Sequence, residues 1–142
     1  MECVYRITGT LTKGIKTICF SNDGKKIAAS AMDDEHNIAV YELKQLKAGE
    51  SLKPIAAGKG TRANILSLGF GPADDVLVAT CVKEVNFFTF AGGAIKGKRG
   101  TGWGTAGPES VLCQAFVDDT LITGMYSGFL ILWKGASCSG KI

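Results

Sequence analysis

Apolar residues along this chain gather in short runs of about five to eight residues, set apart by acidic or glycine-bearing turns. The stretch "IKTICFSNDGKKIAASAMDDEHNIAVYEL" from Ile15 holds three such runs, and so do "ILSLGFGPADDVLVATCVKEVNFFTF" from Ile65 and "VLCQAFVDDTLITGMYSGFLILW" from Val111. The runs are β-branched or aromatic, and their turns are Asn-Asp-Gly, Ala-Asp-Asp and Asp-Asp, which reads as strands. They are too short for helices, whose apolar stripe recurs every three or four residues. Alternation is incomplete: "FLILW" and "VLVATCV" are apolar on both pleat faces, so the sheets they build must be covered on both sides.

The three stretches repeat one another. An early aromatic recurs as Phe20, Phe70 and Phe116, and a late one as Tyr41, Phe88 and Trp133. That period, about 45 to 50 residues, is the length of a four-stranded propeller blade. The expected fold is therefore all-β, a β-propeller fragment of about three blades filling residues 1–142, with repeat cores over about 15–42, 65–90 and 111–134. A two-layer sandwich, the rival architecture, has one wet face per sheet and should alternate more cleanly. Outer fourth strands are expected at Leu52–Lys59 and Ala94–Gly100, with a similar strand at Cys3–Leu11 ahead of the first repeat. The few residues after Trp133 look too short for a turn and a full outer strand. Trp133, in the shared late-aromatic position, is expected in the core.

Composition sharpens this picture. Nineteen glycines in 142 residues with only three prolines suit many tight turns. A net charge of +3 is too mild for the basic footprint of a nucleic-acid-binding domain. No apolar run reaches the length of a membrane span, and the first ten residues lack the apolar core of a signal peptide. The five cysteines form no C-x-x-C pair, which argues against a disulfide framework or a zinc site. Cys19, Cys81 and Cys113 lie in apolar runs and are expected to be buried thiols, consistent with a reducing, cytoplasmic setting.

Three constellations hold candidate chemistry. The terminal "GASCSGKI" nearly spells the phosphate-binding loop G-x-x-x-x-G-K-[ST]. The hydroxyl position is Ile142, which cannot bind magnesium, and the parallel strand–loop–helix context is missing, so it reads as the exit from the last strand. His36 beside Asp33, Asp34 and Glu35 could be drawn as a metal cluster, but one imidazole among splayed turn carboxylates reads as a solvated turn. No G-x-S-x-G elbow occurs, and a lone His leaves no defensible triad. The expectation is no catalytic residue, no cofactor and no metal. For partner binding the candidates are Lys59, Arg62, Lys96, Lys98 and Arg99, which make the segments between repeats basic, and Trp103 in the glycine string "RGTGWGTAG". Trp103 reads either as a binding residue or as a connector side chain packed on the neighbouring blade. Asp23, Asp74, Asp75, Asp118 and Asp119 make the hairpin turns acidic.

The pattern Phe-Ser-Asn-Asp-Gly-Lys followed by Ile-Ala-Ala-Ser resembles a WD-repeat blade, although the Trp-Asp dipeptide appears as Tyr41-Glu42, Phe88-Thr89 and Trp133-Lys134. The stretch "SVLCQAFVDDTLITGMYSGFLILWKG" (Ser110–Gly135) more closely resembles a blade of the echinoderm microtubule-associated protein-like family. The looser likeness covers Ile15 to Gly135. The family's opening hydrophobic motif and coiled coil are absent from this sequence. The Gly-His before each WD blade is missing too, so the usual His-Asp-Ser-Trp hydrogen-bond set cannot form as such. The resemblance implies a non-enzymatic cytoskeletal scaffold that binds tubulin or microtubules; the alternative is a WD-type segment scaffolding an unrelated cytosolic complex. Three blades close only part of a ring, so each terminal blade should expose an apolar face. A homodimer that completes the propeller is expected, each N-terminal strand completing the other copy's last blade.

Overall fold

The computed structural model describes residues 6–44, 51–104 and 107–142. Among them there is no α-helix, and no helix long and apolar enough to cross a membrane. Twelve strands form three four-stranded antiparallel meanders. The first holds β1 (Ile15–Phe20), β2 (Lys26–Ala31), β3 (Ile38–Glu42) and β4 (Pro54–Gly58). The second holds β5 (Ile65–Phe70), β6 (Val76–Cys81), β7 (Glu84–Ala91) and β8 (Ala94–Arg99). The third holds β9 (Val111–Val117), β10 (Thr120–Met125), β11 (Leu130–Lys134) and β12 (Ser137–Lys141).

The sequence repeat is a repeat of register. Ile15 pairs with Ala31 and Thr17 with Ser30, leaving a bulge between them. Ile65 with Cys81 and Ser67 with Thr80 reproduce it in the second meander, and Val111 with Met125 and Cys113 with Gly124 in the third. A bulge adds one residue and increases local twist, so all three inner strands bend at the same place. The first two β-turns match as well: Ser21 N donates to Lys26 O and Gly24 N to Ser21 O, as Gly71 N does to Val76 O and Asp74 N to Gly71 O. Gly24 and Asp74 occupy equivalent positions at φ 70° and 55°. Glycine adopts that region freely, and Asp is among the few other residues that tolerate it.

The meanders stack through their faces. Side chains of successive strand residues point to opposite sides, and the second meander buries both. Leu77, Ala79 and Cys81 join Ala28, Ile38 and Val40 of the first meander in one core. Val78, Val85 and Phe87 join Val111, Leu121, Met125, Ile131 and Trp133 of the third in another. This is the double burial that "VLVATCV" demanded; "FLILW" has one face buried and the other open, with Phe129 and Leu130 each 42% exposed. Inner strands β1 and β5 lie against each other, as do β5 and β9.

Four expectations need correction. The first two meanders are not separate sheets: β4 and β8 pair in parallel at Ala57 and Ala94, making one eight-stranded sheet whose end strands β1 and β5 touch. Small residues permit it, since a Cβ on Gly58 would lie 3.3 Å from Ile95 Cβ. Next, the residues after Trp133 do suffice for an outer strand. Gly135, at φ 55°, turns the chain with Ala136, and β12 returns along β11 with Trp133 opposite Cys138. The third meander therefore has the fourth strand expected from another copy. Of the strand expected at Cys3–Leu11, residues 3–5 lie outside the described residues and residues 6–11 form no strand; Ile7 and Leu11 instead pack on Tyr41 and Leu52. Finally, Cys81 is buried and Cys19 half-buried against the first core, but Cys113 is exposed. It sits on the outward pleat face of β9, which no other strand covers among the described residues.

Candidate protein-binding cleft

The outer rims of the stacked meanders differ. Between the first and second, the β4–β8 pair closes the rim, with Ala57 N donating to Gly93 O at 3.1 Å. Between the second and third, β8 and β12 are not paired among the described residues, and Thr101, just beyond β8, bridges Ser137. The opening is a cleft lined by Val76, Phe87, Thr89, Lys96, Gly97, Lys98, Gly135 and Ala136. It adjoins a hollow that shares Val76, Phe87 and Gly135 and carries Asp75 and Asp119. The floor is apolar, one flank is basic and the far end is acidic.

The structure separates the basic candidates. Lys96 and Lys98 stand opposite Thr89 and Phe87 on β7, so both project from one face of β8 into the cleft. Both are exposed, and neither makes an ion pair among the described residues. Lys59 is exposed beyond the end of β4, away from the cleft. Arg62 is held by Glu35, with Nη2 at 2.9 Å and Nε at 3.0 Å from Oε1. Arg99, one residue beyond Lys98, points to the opposite pleat face and pairs with Glu84. That carboxylate is buried and also accepts hydrogen bonds from Thr61 Oγ1 and from Asn86 Nδ2 at 2.8 Å. A buried charge must be paired and hydrogen-bonded to persist. Arg99 and Arg62 therefore serve structural ion pairs, and only Lys96 and Lys98 of the candidates converge on one site.

Trp103 is half-buried, its ring edge-on to Trp133 at a centroid distance of 4.9 Å. Trp133 is fully buried, and its indole Nε1 donates to Thr123 Oγ1 at 2.9 Å. Trp103 is thus the connector side chain packed on the neighbouring meander. The register places Ala29 and Ala79 where Thr123 stands, behind Tyr41 and Phe88. Where the aromatic lacks an indole N–H, the acceptor has been replaced by a methyl group, so no polar atom is stranded.

The remaining constellations are engaged elsewhere. Asp33 Oδ1 accepts from Asn37 N at 3.0 Å and Glu35 N at 3.2 Å, and Oδ2 from Asn37 Nδ2 at 3.0 Å. These bonds, led by the Asn37 amide, hold its carboxyl below the usual range. His36 Nδ1 contacts Thr61 O at 2.9 Å. Among the described residues no group of three or more His, Cys, Asp or Glu is placed to hold a metal ion. In the tail, residues 137–141 are extended in β12, and Lys141 Nζ lies 3.4 Å from the Phe129 ring centroid. Burial pushes the thiols of Cys19 and Cys81 up to about 12, which makes them inert.

Two positions escaped the sequence reading. Glu84 opens an apolar strand, and a charge there is a signal of a buried pair. Asp74 was read as an acidic turn residue, yet it is buried and clamps the preceding turn: Oδ1 accepts from Asn22 N at 2.7 Å and Nδ2 at 2.8 Å, and Oδ2 from Asp23 N at 3.1 Å. No protein-family model matches the chain.

Proposed function

We propose that this chain is a segment of a WD-type β-propeller, its three meanders being blades, and that it works without catalysis as a scaffold for an acidic protein surface. The partner is tubulin in the microtubule, and the setting is the cytoplasm and its cytoskeleton. The observation that carries the reading is the cleft between the second and third blades. There Lys96 and Lys98, unpaired among the described residues, flank an apolar floor of Val76 and Phe87. An apolar floor with a few polar groups at its edge suits recognition of a partner segment, and the two ammonium groups select one with carboxylates. Supporting it are the repeated register, the face-to-face stacking and the Trp133–Thr123 bond, which retains the Trp–hydroxyl half of the WD hydrogen-bond set.

Co-sedimentation with taxol-stabilised microtubules tests the proposal. Binding should be clear at low ionic strength and weaken at physiological salt, where exposed charges are screened beyond about 8 Å. Replacing both Lys96 and Lys98 with Glu should abolish it while the denaturation midpoint stays close to that of the unaltered chain. Absence of binding at low salt, or full binding by the double variant, would overturn the reading.

A further inference from the structure

The blade stack has a direction, and the same three register positions always supply its forward face. In the first blade they are Ala28, Ile38 and Val40, buried against the second blade. In the second they are Val78, Val85 and Phe87, buried against the third. In the third they are Ile122, Leu130 and Leu132, against which no other meander packs among the described residues; Leu130 is 42% exposed.

The receiving face repeats equally well. Ile65, Phe70 and Leu77 receive the first blade, while Val111, Phe116 and Leu121 receive the second. By register their equivalents in the first blade are Ile15, Phe20 and Ile27, with Ile18 between them. Ile15, Ile18 and Phe20 are 50%, 59% and 60% exposed. The segment carrying Ile7 and Leu11 borders this face, packing by Ile27 and Tyr41 and sharing a hollow with Ile15 and Ile18, and it leaves Ile15, Ile18 and Phe20 at least half exposed. Ile7 packs beside Tyr41 at the same sequence distance ahead of β1 as Trp103, which packs on Trp133, stands ahead of β9. Such a segment belongs to an occupied receiving face.

We infer that two copies of this chain associate head to tail, the forward face of each third blade seating on the receiving face of the other copy's first blade. The unsatisfied forward face and its complement lie on one chain, and the joint they would form continues the two joints already inside it. Soluble chains rarely leave apolar sheet faces of this kind uncovered. A pair of copies makes two such joints at once, so each strengthens the other, and two-fold symmetry closes the assembly. The closed ring of six blades rests on the propeller reading, within the usual range of about four to eight; the pairing of faces rests on the register alone. Strand exchange is not needed, because β12 already completes the third blade.

Light scattering coupled to size exclusion, with the full chain at micromolar concentration, should give twice the chain mass. Leu130→Lys and Ile18→Glu each change an exposed position and should each give single-chain mass with an unaltered circular dichroism spectrum. Mixing the two variants should restore the double mass, because the mixed pair has one unaltered joint and one in which Lys meets Glu. Single-chain mass for the unaltered protein would overturn the pairing, whatever the microtubule experiment returns. Mass that climbs with concentration beyond two chains would overturn the closed pair. Loss of association by Leu130→Lys alone, or two variants that do not rescue each other, would overturn its head-to-tail geometry.

Discussion

The two joints inside this molecule share a register and differ in how they are held. The joint between the first and second meanders combines the small Ala28 and Val40 with Phe70 and Phe88, a polar clamp and a shared strand pair. Val40 and Ala28 let the sheets approach, Asp74 grips Asn22 and Asp23 at the turn end, and β4 meets β8 at the rim. The joint between the second and third meanders carries Phe87 and two tryptophans. Phe87 stands where Val40 stands in the first meander, Trp133 replaces Phe88, and Trp103 closes over it. Gln114 Nε2 spans that joint to Val78 O at 2.9 Å. Phe87 floors the open rim of this joint, where the cleft with Lys96 and Lys98 lies. Repeated backbone geometry therefore tolerates exchange of a closed rim for an open one.

Removing Trp133 should disturb this contrast most. Trp133→Ala deletes a fully buried ring and should cost about 3–5 kcal/mol in chemical denaturation. Trp133→Phe keeps most of the volume but leaves the Thr123 hydroxyl without its donor, and should cost about 1–3 kcal/mol. A midpoint unchanged by the Ala variant would break the assignment of Trp133 to the core of the third meander.

Asp74→Ala probes the other joint. Two backbone amides and one side-chain amide lose their acceptor, so the expected cost is about 1–3 kcal/mol. Hydrogen exchange should accelerate at Asn22 and Asp23 while Trp133 fluorescence stays as it was. A shift in the tryptophan signal with no change at Asn22 would show that the joints are not independent.

The smallest effect concerns the β2–β3 turn, which lies outside both apolar joints. Asp33 has a folded-state pKa below its unfolded value, so its contribution is fully present above the unfolded value and is lost as pH falls through the folded one. Asp33→Asn should lower stability slightly near neutral pH and converge with the unaltered chain in acid, so that the decline is flatter. The midpoint followed between neutral pH and the carboxylate range measures this. A decline as steep as that of the unaltered chain would assign the acid sensitivity to other carboxylates.

The sequence by itself determined the strands and their repetition. Apolar runs between Asn-Asp-Gly, Ala-Asp-Asp and Asp-Asp turns can close only as antiparallel hairpins, and the spacing of Tyr41, Phe88 and Trp133 set equivalent residues at equivalent register. Runs apolar on both pleat faces foretold stacking. Local pattern could not say which neighbour each face would meet, because a pleat offers two faces and the partner comes from a distant segment. Cys113 and Cys81 therefore look alike in sequence, yet one is exposed and the other buried. Arg99 and Lys98, adjacent in one basic run, fall on opposite sides of β8, so one neutralises Glu84 and the other borders the cleft. Tertiary structure alone decided the clamp from Asp74, the return of β12 and the open rim. Each depends on how closely two backbones approach in space, which side-chain volume on both partners sets together.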